Sequence, residues 1–365
     1  MDKSDPLITF DADGHCSLCS NFLDKRQRII TATLENGPTL DEVVRIVRER
    51  GRGRNYDCVV GVSGGVDSSY TCVLAAEQGL RVLAVHMDNG WDSVTAVSNI
   101  RNLVRILDLD YVSTVLPWKQ FREVQLAFLK ASVPEAETPT DIAIQRAVHH
   151  HALQCGVRTI LSGGNIATEG VLPASWHYNA RDIRYANAIL DAGHCPRRYF
   201  ATQRYGVREE AYYKVLRGIK TLYPLNSIHY TRQGARDRLE RDFAWQYYGT
   251  KHGESGYTKF IQTFYLYVKH GIDYRRATFC SEILLGKISR DEALAILETP
   301  PFNQEAFDLE IEYVCKKLQV PRATMDAIIA MPPKFFFEYP NNARMLGRVY
   351  DLYRWLTGNA KASNF

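Results

Sequence analysis

The run Val59-Val60-Gly61-Val62-Ser63-Gly64-Gly65-Val66-Asp67-Ser68 constrains this chain more than any other stretch. A β-branched strand stops at a Ser-Gly-Gly turn and a helix begins at once. The glycines remove the Cβ atoms that would block a phosphate. Ser63, Ser68 and the free N–H groups of the new helix supply donors and a favourable dipole. The segment is read as a cradle for pyrophosphate. It is not a Walker loop, because the Lys-Ser/Thr ending is absent, and it lacks the G-x-G-x-x-G dinucleotide pattern.

From Cys58 onward apolar strands (58–62, 81–87, 111–115, 158–162) alternate with amphipathic helices (67–78, 92–107, 141–155). That alternation predicts an α/β fold with a doubly wound parallel sheet, whose ligands bind at the carboxyl ends of the strands. Beyond about Ile228 helices dominate, at 237–248, 257–270, 290–298 and 343–356. Three parts follow: an N-terminal segment, 1–54, holding a Cys-x-x-Cys knuckle and a helix; a nucleotide-binding domain, 55–228; and a helical C-terminal region, 229–365.

Composition excludes some function classes. The 365 residues carry 45 Lys and Arg against 41 Asp and Glu, a net charge of only +4. No global field calls for nucleic acid, although Arg45 to Arg54 and Arg197-Arg198 form local basic clusters. No apolar run approaches the ~20 residues needed to span a bilayer, and the polar start is no signal peptide, so a cytoplasmic, membrane-free protein is expected. The eight cysteines, mostly scattered singly, suit reduced thiols better than a disulfide framework.

The second strand ends Ala84-Val85-His86-Met87-Asp88-Asn89-Gly90, and a later one ends Leu161-Ser162-Gly163-Gly164-Asn165. Two such edges, one on each side of the first strand, can close on one nucleotide. The Ser63–Ser68 loop resembles the SGGxDS PP-loop of the N-type ATP pyrophosphatases, which cleave ATP to AMP and pyrophosphate on a HUP-like fold. The ordered set is narrower. Ile8-Thr9-Phe10-Asp11 with Cys16-x-x-Cys19, the loop itself, Asp88-Asn89-Gly90-Trp91, Gly163-Gly164-Asn165, Ala167-Thr168-Glu169-Gly170, Trp176, Asp182, Trp245 to Ser255 and Gly271-Ile272-Asp273 together resemble the bacterial N-acetyl sugar amidotransferases of surface-glycan synthesis, the WbpG and PseA type.

That resemblance implies an enzyme that replaces the oxygen of a sugar N-acetyl group with nitrogen. It uses ATP and Mg²⁺, acts on a free or nucleotide-linked sugar in lipopolysaccharide or O-antigen synthesis, and takes ammonia from separate glutaminase and cyclase-like subunits. Ser63, Gly64, Gly65, Asp67 and Ser68 would hold phosphate, with Asp67 also a candidate to orient magnesium. Met87, Asp88, Gly163 and Gly164 would complete the ATP site. Lys251 would stabilise charge at the α-phosphate, unless it is a lysine of a helix-linking loop, and His252 and Glu254 would manage the proton of attacking ammonia. Asn165, Glu169, Trp176 and Asp182 are substrate candidates, with a plain core role as the alternative for Trp176. Cys16 and Cys19 are half of a zinc site, because tetrahedral closure takes four ligands; family members usually carry an earlier pair, so an upstream start is expected. The triple His149-His150-His151 points in three directions on a helix and is read as structural.

The rival enzyme is a tRNA-thiolating PP-loop protein, which needs a reactive cysteine. Cys155 and Cys195 are its nominees, the latter beside His194 and Arg197-Arg198, which would lower a thiol pKa. A non-catalytic ATP sensor is the third reading.

Overall fold

The computed structural model describes residues 1, 5, 7–30, 39–249 and 253–357. Its centre is a five-stranded, all-parallel sheet of order β3-β2-β1-β4-β5, built from β1 (Cys58–Gly61), β2 (Val82–Asp88), β3 (Asp110–Val115), β4 (Thr159–Leu161) and β5 (Lys220–Leu222). The chain moves outward from β1 to β3, then returns to pair β4 on the other side of β1. The crevice at that reversal lies between the loops leaving β1 and β4.

Alternating strand residues face opposite layers. Cys58, Val60, Val82, Ala84 and Leu161 pack against α2 (Leu40–Gly51), α3 (Val66–Glu77), α4 (Val94–Ile106) and α10 (Arg232–Asp242). Val59, Leu83, Val85 and Ile160 pack against α5 (Trp118–Lys130), α6 (Thr138–Gln154) and α8 (Ile183–Ala192). The expected α/β, doubly wound parallel sheet is therefore present. The inner strands β1, β2 and β4 are apolar on both faces, as parallel strands covered by helices must be, whereas the edge strand β3 is largely exposed.

Before the sheet, an antiparallel bridge joins Phe10 to Cys16 across a turn in which Asp11 Oδ1 accepts from the Asp13 and His15 amides, and α1 (Ser17–Ile30) follows. Short α7 (Ile166–Glu169) and α9 (Val207–Ala211) lie between the later strands. A helical assembly follows: α11 (Gly256–Phe260) runs through a π turn, Ile261–Tyr265, into α12 (Leu266–His270), then α13 (Arg275–Leu284), α14 (Arg290–Leu297), α15 (Gln304–Leu318), α16 (Arg322–Ala330) and α17 (Ala343–Thr357). Tyr257, Phe260, Phe264, Phe307, Ile311 and Met325 form its core and close over Trp91, Leu126 and Leu129 of the sheet domain.

Two local expectations need correction. The helix placed at 237–248 is Arg232–Asp242, because Ala244 takes a left-handed φ of 50° and residues 244–248 continue without helix. The strand β5 and the helices α5, α8, α13, α15 and α16 were not anticipated; β5 is three residues long and half-buried, below what periodicity can report. All eight cysteines are free, and among the described residues no helix is long and apolar enough to cross a membrane.

Candidate active site

The turn after β1 folds as its residue types require. Gly64 has φ +78°, and a Cβ there would stand 2.6 Å from the Ala96 carbonyl oxygen, so only glycine fits. Gly65 is the N-cap of α3 and has no side-chain cap, which leaves the first amides of that helix directed at the crevice. The two serines brace the turn: the Ser63 amide donates to Ser68 Oγ at 3.2 Å, the hydroxyls are 3.1 Å apart, and the Gly65 amide donates to Ser63 Oγ at 3.3 Å. Gly163, in the loop after β4, lies against the same helix start. A Cβ at Gly163 would be 2.8 Å from the Asp67 carbonyl carbon and 2.9 Å from the Ser68 amide nitrogen. The two small-residue edges thus form one crevice.

Residues far along the chain cover that crevice. Trp245 Nε1 donates to the Gly64 carbonyl at 3.2 Å. Asn99 of α4 holds the Trp245 segment by donating to the Gln246 carbonyl and accepting from its amide, both at 2.8 Å. The Tyr230 hydroxyl donates to Asp67 Oδ1. Arg232 begins α10 with its charge facing Asp67, Tyr248 and Glu254; burial opposes that charge, and these groups outweigh it. Glu254 enters from the helical region: the Ser93 amide donates to its carbonyl at 2.8 Å, the Gly256 amide donates to the Trp91 carbonyl at 2.9 Å, and its Oε1 would lie 3.2 Å from a Cβ on Gly65. The cradle residues, Asp67 and Glu254 are therefore brought together. Lys251 and His252 lie outside the described residues.

His86 links the strand ends. Its Nδ1 lies 2.8 Å from the Val62 carbonyl oxygen and its Nε2 lies 3.0 Å from Asp92 Oδ2. Burial disfavours the imidazolium, but the Asp92 hydrogen bond and charge and the Val62 carbonyl outweigh it, and the pKa is raised. A charged His86 donates to both partners and fixes the phosphate loop relative to the turn after β2.

Three carboxylates form an acidic wall near Glu254. Glu137, at the start of α6, accepts from Gln262 Nε2 at 2.9 Å. Burial, then the charge of Asp141, pushes Glu137 up to about 8. Asp141 is open to solvent, yet desolvation and then the charge of Glu169 push it up to about 7. Glu169, half-buried just beyond β4, is the one predicted substrate residue that belongs to this wall.

Other nominees are structurally committed. Met87 packs with Leu116, Phe121, Ala143 and Ala147, so only its backbone is available at the strand end. Asp88 Oδ1 accepts from the Gly90 amide at 2.7 Å, and its carbonyl accepts from Leu116. Asn165 is fully buried as the N-cap of α7, accepting from the Thr168 amide at 3.0 Å and donating to the Gly163 carbonyl at 3.1 Å. Trp176 is a buried core ring beside Tyr274, not an open platform for a sugar. Asp182 caps α8 and anchors Tyr178 and Asn342, which leaves no carboxylate oxygen for a hydroxyl. Cys16 and Cys19 are 3.2 Å apart at sulfur, and burial, then Cys16, pushes Cys19 up to about 11. Among the described residues no further ligand closes a tetrahedron on them, so these thiols do not by themselves make a structural zinc site. The thiols named for sulfur transfer fare no better. Burial raises Cys195 to about 11 rather than lowering it, and Arg197 is spent on Asp191. Cys155 caps the far end of α6, away from the phosphate loop. His149, pushed down to about 4 by burial, meets the Gln145 carbonyl and Tyr205, while His151 meets Thr114.

Residues 56–127 match the tRNA methyl transferase HUP domain, and residues 254–356 match the C-terminal domain of LPS biosynthesis protein WbpG-like proteins. Over these two stretches the chain is similar to WbpG-type proteins and to the HUP domain of the PP-loop ATP pyrophosphatase superfamily. The WbpG-like match begins at Glu254, the residue through which the helical region reaches the phosphate loop. A 94-residue stretch is 38% identical to the glutamine-hydrolyzing GMP synthase of Pyrobaculum aerophilum, spanning 25% of this chain and 18% of that enzyme. Among solved structures, the NH3-dependent NAD synthetase of Campylobacter jejuni in complex with nitrate aligns at 13% identity over 60% of this chain and 94% of that one, with a TM-score of 0.30. The U34-tRNA thiolase NcsA of Methanococcus maripaludis, with its [4Fe-4S] cluster, aligns at 15% identity over 76% and 83%, with a TM-score of 0.33. Neither superposition is close enough to bear on the chemistry.

Proposed function

We propose that the protein is an ATP-dependent amidotransferase that converts an N-acetyl group of a sugar to an acetamidino group. An amide oxygen is a very poor leaving group. In this reading the carbonyl oxygen attacks the α-phosphorus of ATP and pyrophosphate leaves, which gives an O-adenylyl imidate. Ammonia then adds to the imidate carbon, one proton of the resulting ammonium passes to a base, and the C–O bond breaks to release AMP and leave the amidinium. The loop amides and Ser63 and Ser68 hold the departing pyrophosphate, and Arg232 stabilises charge beside it, so the work is positioning and electrostatics. Asp67 would hold Mg²⁺, which supplies charge neutralisation on the phosphates. Glu254, with Glu137 and Asp141 behind it, would accept the ammonium proton. Lys251, placed by sequence between Gly249 and Gly253, is the nominee for the α-phosphate, with His252 beside it.

The observation that carries this reading is the approach of Glu254, the first residue of the WbpG-like domain, to Gly65 of the phosphate loop. Ammonia would come from separate glutaminase and cyclase-like subunits, and the setting would be cytoplasmic surface-glycan synthesis. Mass spectrometry of reactions with ATP, Mg²⁺, ammonium and a panel of diacetamido sugars tests it. The product should be about one mass unit lighter than its substrate, with AMP formed in equal amount. Pyrophosphate release with no mass change on any sugar would refute it.

A further inference from the structure

At the opposite edge of the sheet from the phosphate loop, a cavity of about 210 Å³ opens between the end of α6, the start of β4 and the turn before β5. Arg54, Arg158 and Arg217 line it, with Leu153 and Leu216 on the apolar side. Arg50 stands behind them. Its guanidinium donates to Thr159 Oγ1 at 3.2 Å, to the Arg158 carbonyl at 2.9 Å and to the Gly218 carbonyl at 2.6 Å, which fixes the rim. Arg54 donates to the Gly156 carbonyl, and Gly156 has φ +67° with room for a Cβ only 3.0 Å from Arg54 Nη1. The turn is shaped around that guanidinium.

What marks the cluster is that uncompensated cations are gathered around one cavity. Many arginines of the surface are paired, among them Arg45 with Glu49, Arg81 with Asp57, Arg197 with Asp191 and Arg236 with Glu240, and those without a described ion pair, such as Arg101, Arg105 and Arg290, line no such cavity. None of Arg50, Arg54, Arg158 and Arg217 forms an ion pair with a described carboxylate, and the guanidiniums of Arg158 and Arg217 have no described hydrogen-bond partner. Burial, then the charges of Arg158 and Arg54, lower the pKa of Arg50, so these cations act on one another. Gathering three like charges around a hollow, with a fourth behind them, is unfavourable unless an anion offsets it, and a guanidinium fork matches the oxygens of a phosphate.

We propose that this cavity binds the phosphate group of a small molecule, at a site separate from the phosphate loop. Arg158 precedes β4 and Gly163 follows it, so the two sites are roughly 16 Å apart through the sheet. The concave form and modest volume favour a small anion. Free phosphate and a nucleoside monophosphate share the recognised group and differ in whether an organic part covers Leu153 and Leu216.

Inorganic phosphate and uridine monophosphate, titrated calorimetrically at fixed ionic strength, test the assignment. A Gly64→Ala parent removes binding at the phosphate loop, with Ser68→Ala as the parent if that variant does not fold. The parent should still bind phosphate, and Arg158→Gln or Arg217→Gln should each weaken binding about tenfold. Neither change should move the melting temperature without ligand, and Arg158→Lys should recover part of the affinity. Tighter uridine monophosphate identifies an organic phosphate ligand; equal affinities identify phosphate itself. Folded arginine variants that bind both probes as the parent does would overturn the proposal, as would a parent that binds neither below about 10 mM.

Discussion

Gly64→Ala isolates what the phosphate loop requires of its backbone. Two costs coincide there. A left-handed φ in an L-residue costs roughly 1–2 kcal/mol. The new methyl would also lie 2.6 Å from the Ala96 carbonyl oxygen and 2.9 Å from the Ala96 Cα, well inside ordinary contact, and overpacking of that kind costs about 1–3 kcal/mol more. The atoms it meets are backbone at the start of α4, so they cannot swing aside, and the loop itself must move. Moving it turns the amides of Gly65 and the first turn of α3 away from the phosphates and strains the bond from Trp245. Gly271→Ala is the matched comparison, because Gly271 has φ +65° and nothing within 4 Å of a Cβ. Urea unfolding and titration with Mg-ATP read the two variants together. Gly271→Ala should lose about 1–2 kcal/mol of stability and bind ATP normally. Gly64→Ala should bind ATP at least about 100-fold more weakly, equivalent to about 2.7 kcal/mol. Wild-type ATP affinity in a folded Gly64→Ala protein would refute the assignment of this loop as the phosphate cradle.

Further outcomes follow from other contacts. Tyr230→Phe removes the hydroxyl that holds Asp67, and a hydrogen bond to a charged group contributes about 1.5–3 kcal/mol, so the melting temperature should fall by a few degrees and pyrophosphate release should slow about 10- to 100-fold. Asn99→Ala deletes both bonds to Gln246 at a buried site and should cost about 2–3 kcal/mol in urea unfolding while weakening ATP binding. Glu137 and Asp141 have folded pKa values raised above their ordinary ones, to about 8 and about 7. The unfolded chain then releases these protons first, so stability is full below about pH 4 for these groups and falls as pH rises toward 7 to 8. Urea midpoints should decline with pH less steeply in Glu137→Gln than in wild type, and identical slopes would contradict the desolvated acidic wall. Cys195→Ala should keep full activity, whereas a sulfur-transfer enzyme relying on that thiol would lose it.

Much of the fold was legible because its inner strands are apolar runs separated by strong turn residues. The switch from β1 to α3 could be read almost to the residue, since glycines that no side chain can replace mark the turn. The fifth strand escaped because three residues carry no period, and the Arg232–Asp242 helix was misplaced because a polar helix, covered mainly through Ala235 and Leu239, offers little amphipathic signal. The site was legible only in part. Ser63, Gly64 and Gly65 announce themselves through local sequence, whereas Tyr230, Arg232, Glu137, Asp141 and His86 acquire their roles from partners that only the fold brings together, some of them more than a hundred positions away. Asn165 and Asp182 misled for a definite reason: acid and amide side chains next to helix starts serve as caps as readily as they bind ligands. Trp176 misled in the same way, because a large ring near a cleft is needed by the core behind it.

Adenylylation of the amide oxygen leaves an isotopic signature. With substrate carrying ¹⁸O in its N-acetyl carbonyl, incubated with ATP, Mg²⁺ and ammonium, the heavy oxygen should appear in the phosphate of AMP and be absent from both pyrophosphate and the sugar product. Heavy oxygen kept in the sugar, or AMP formed without it, would contradict attack of the carbonyl on ATP.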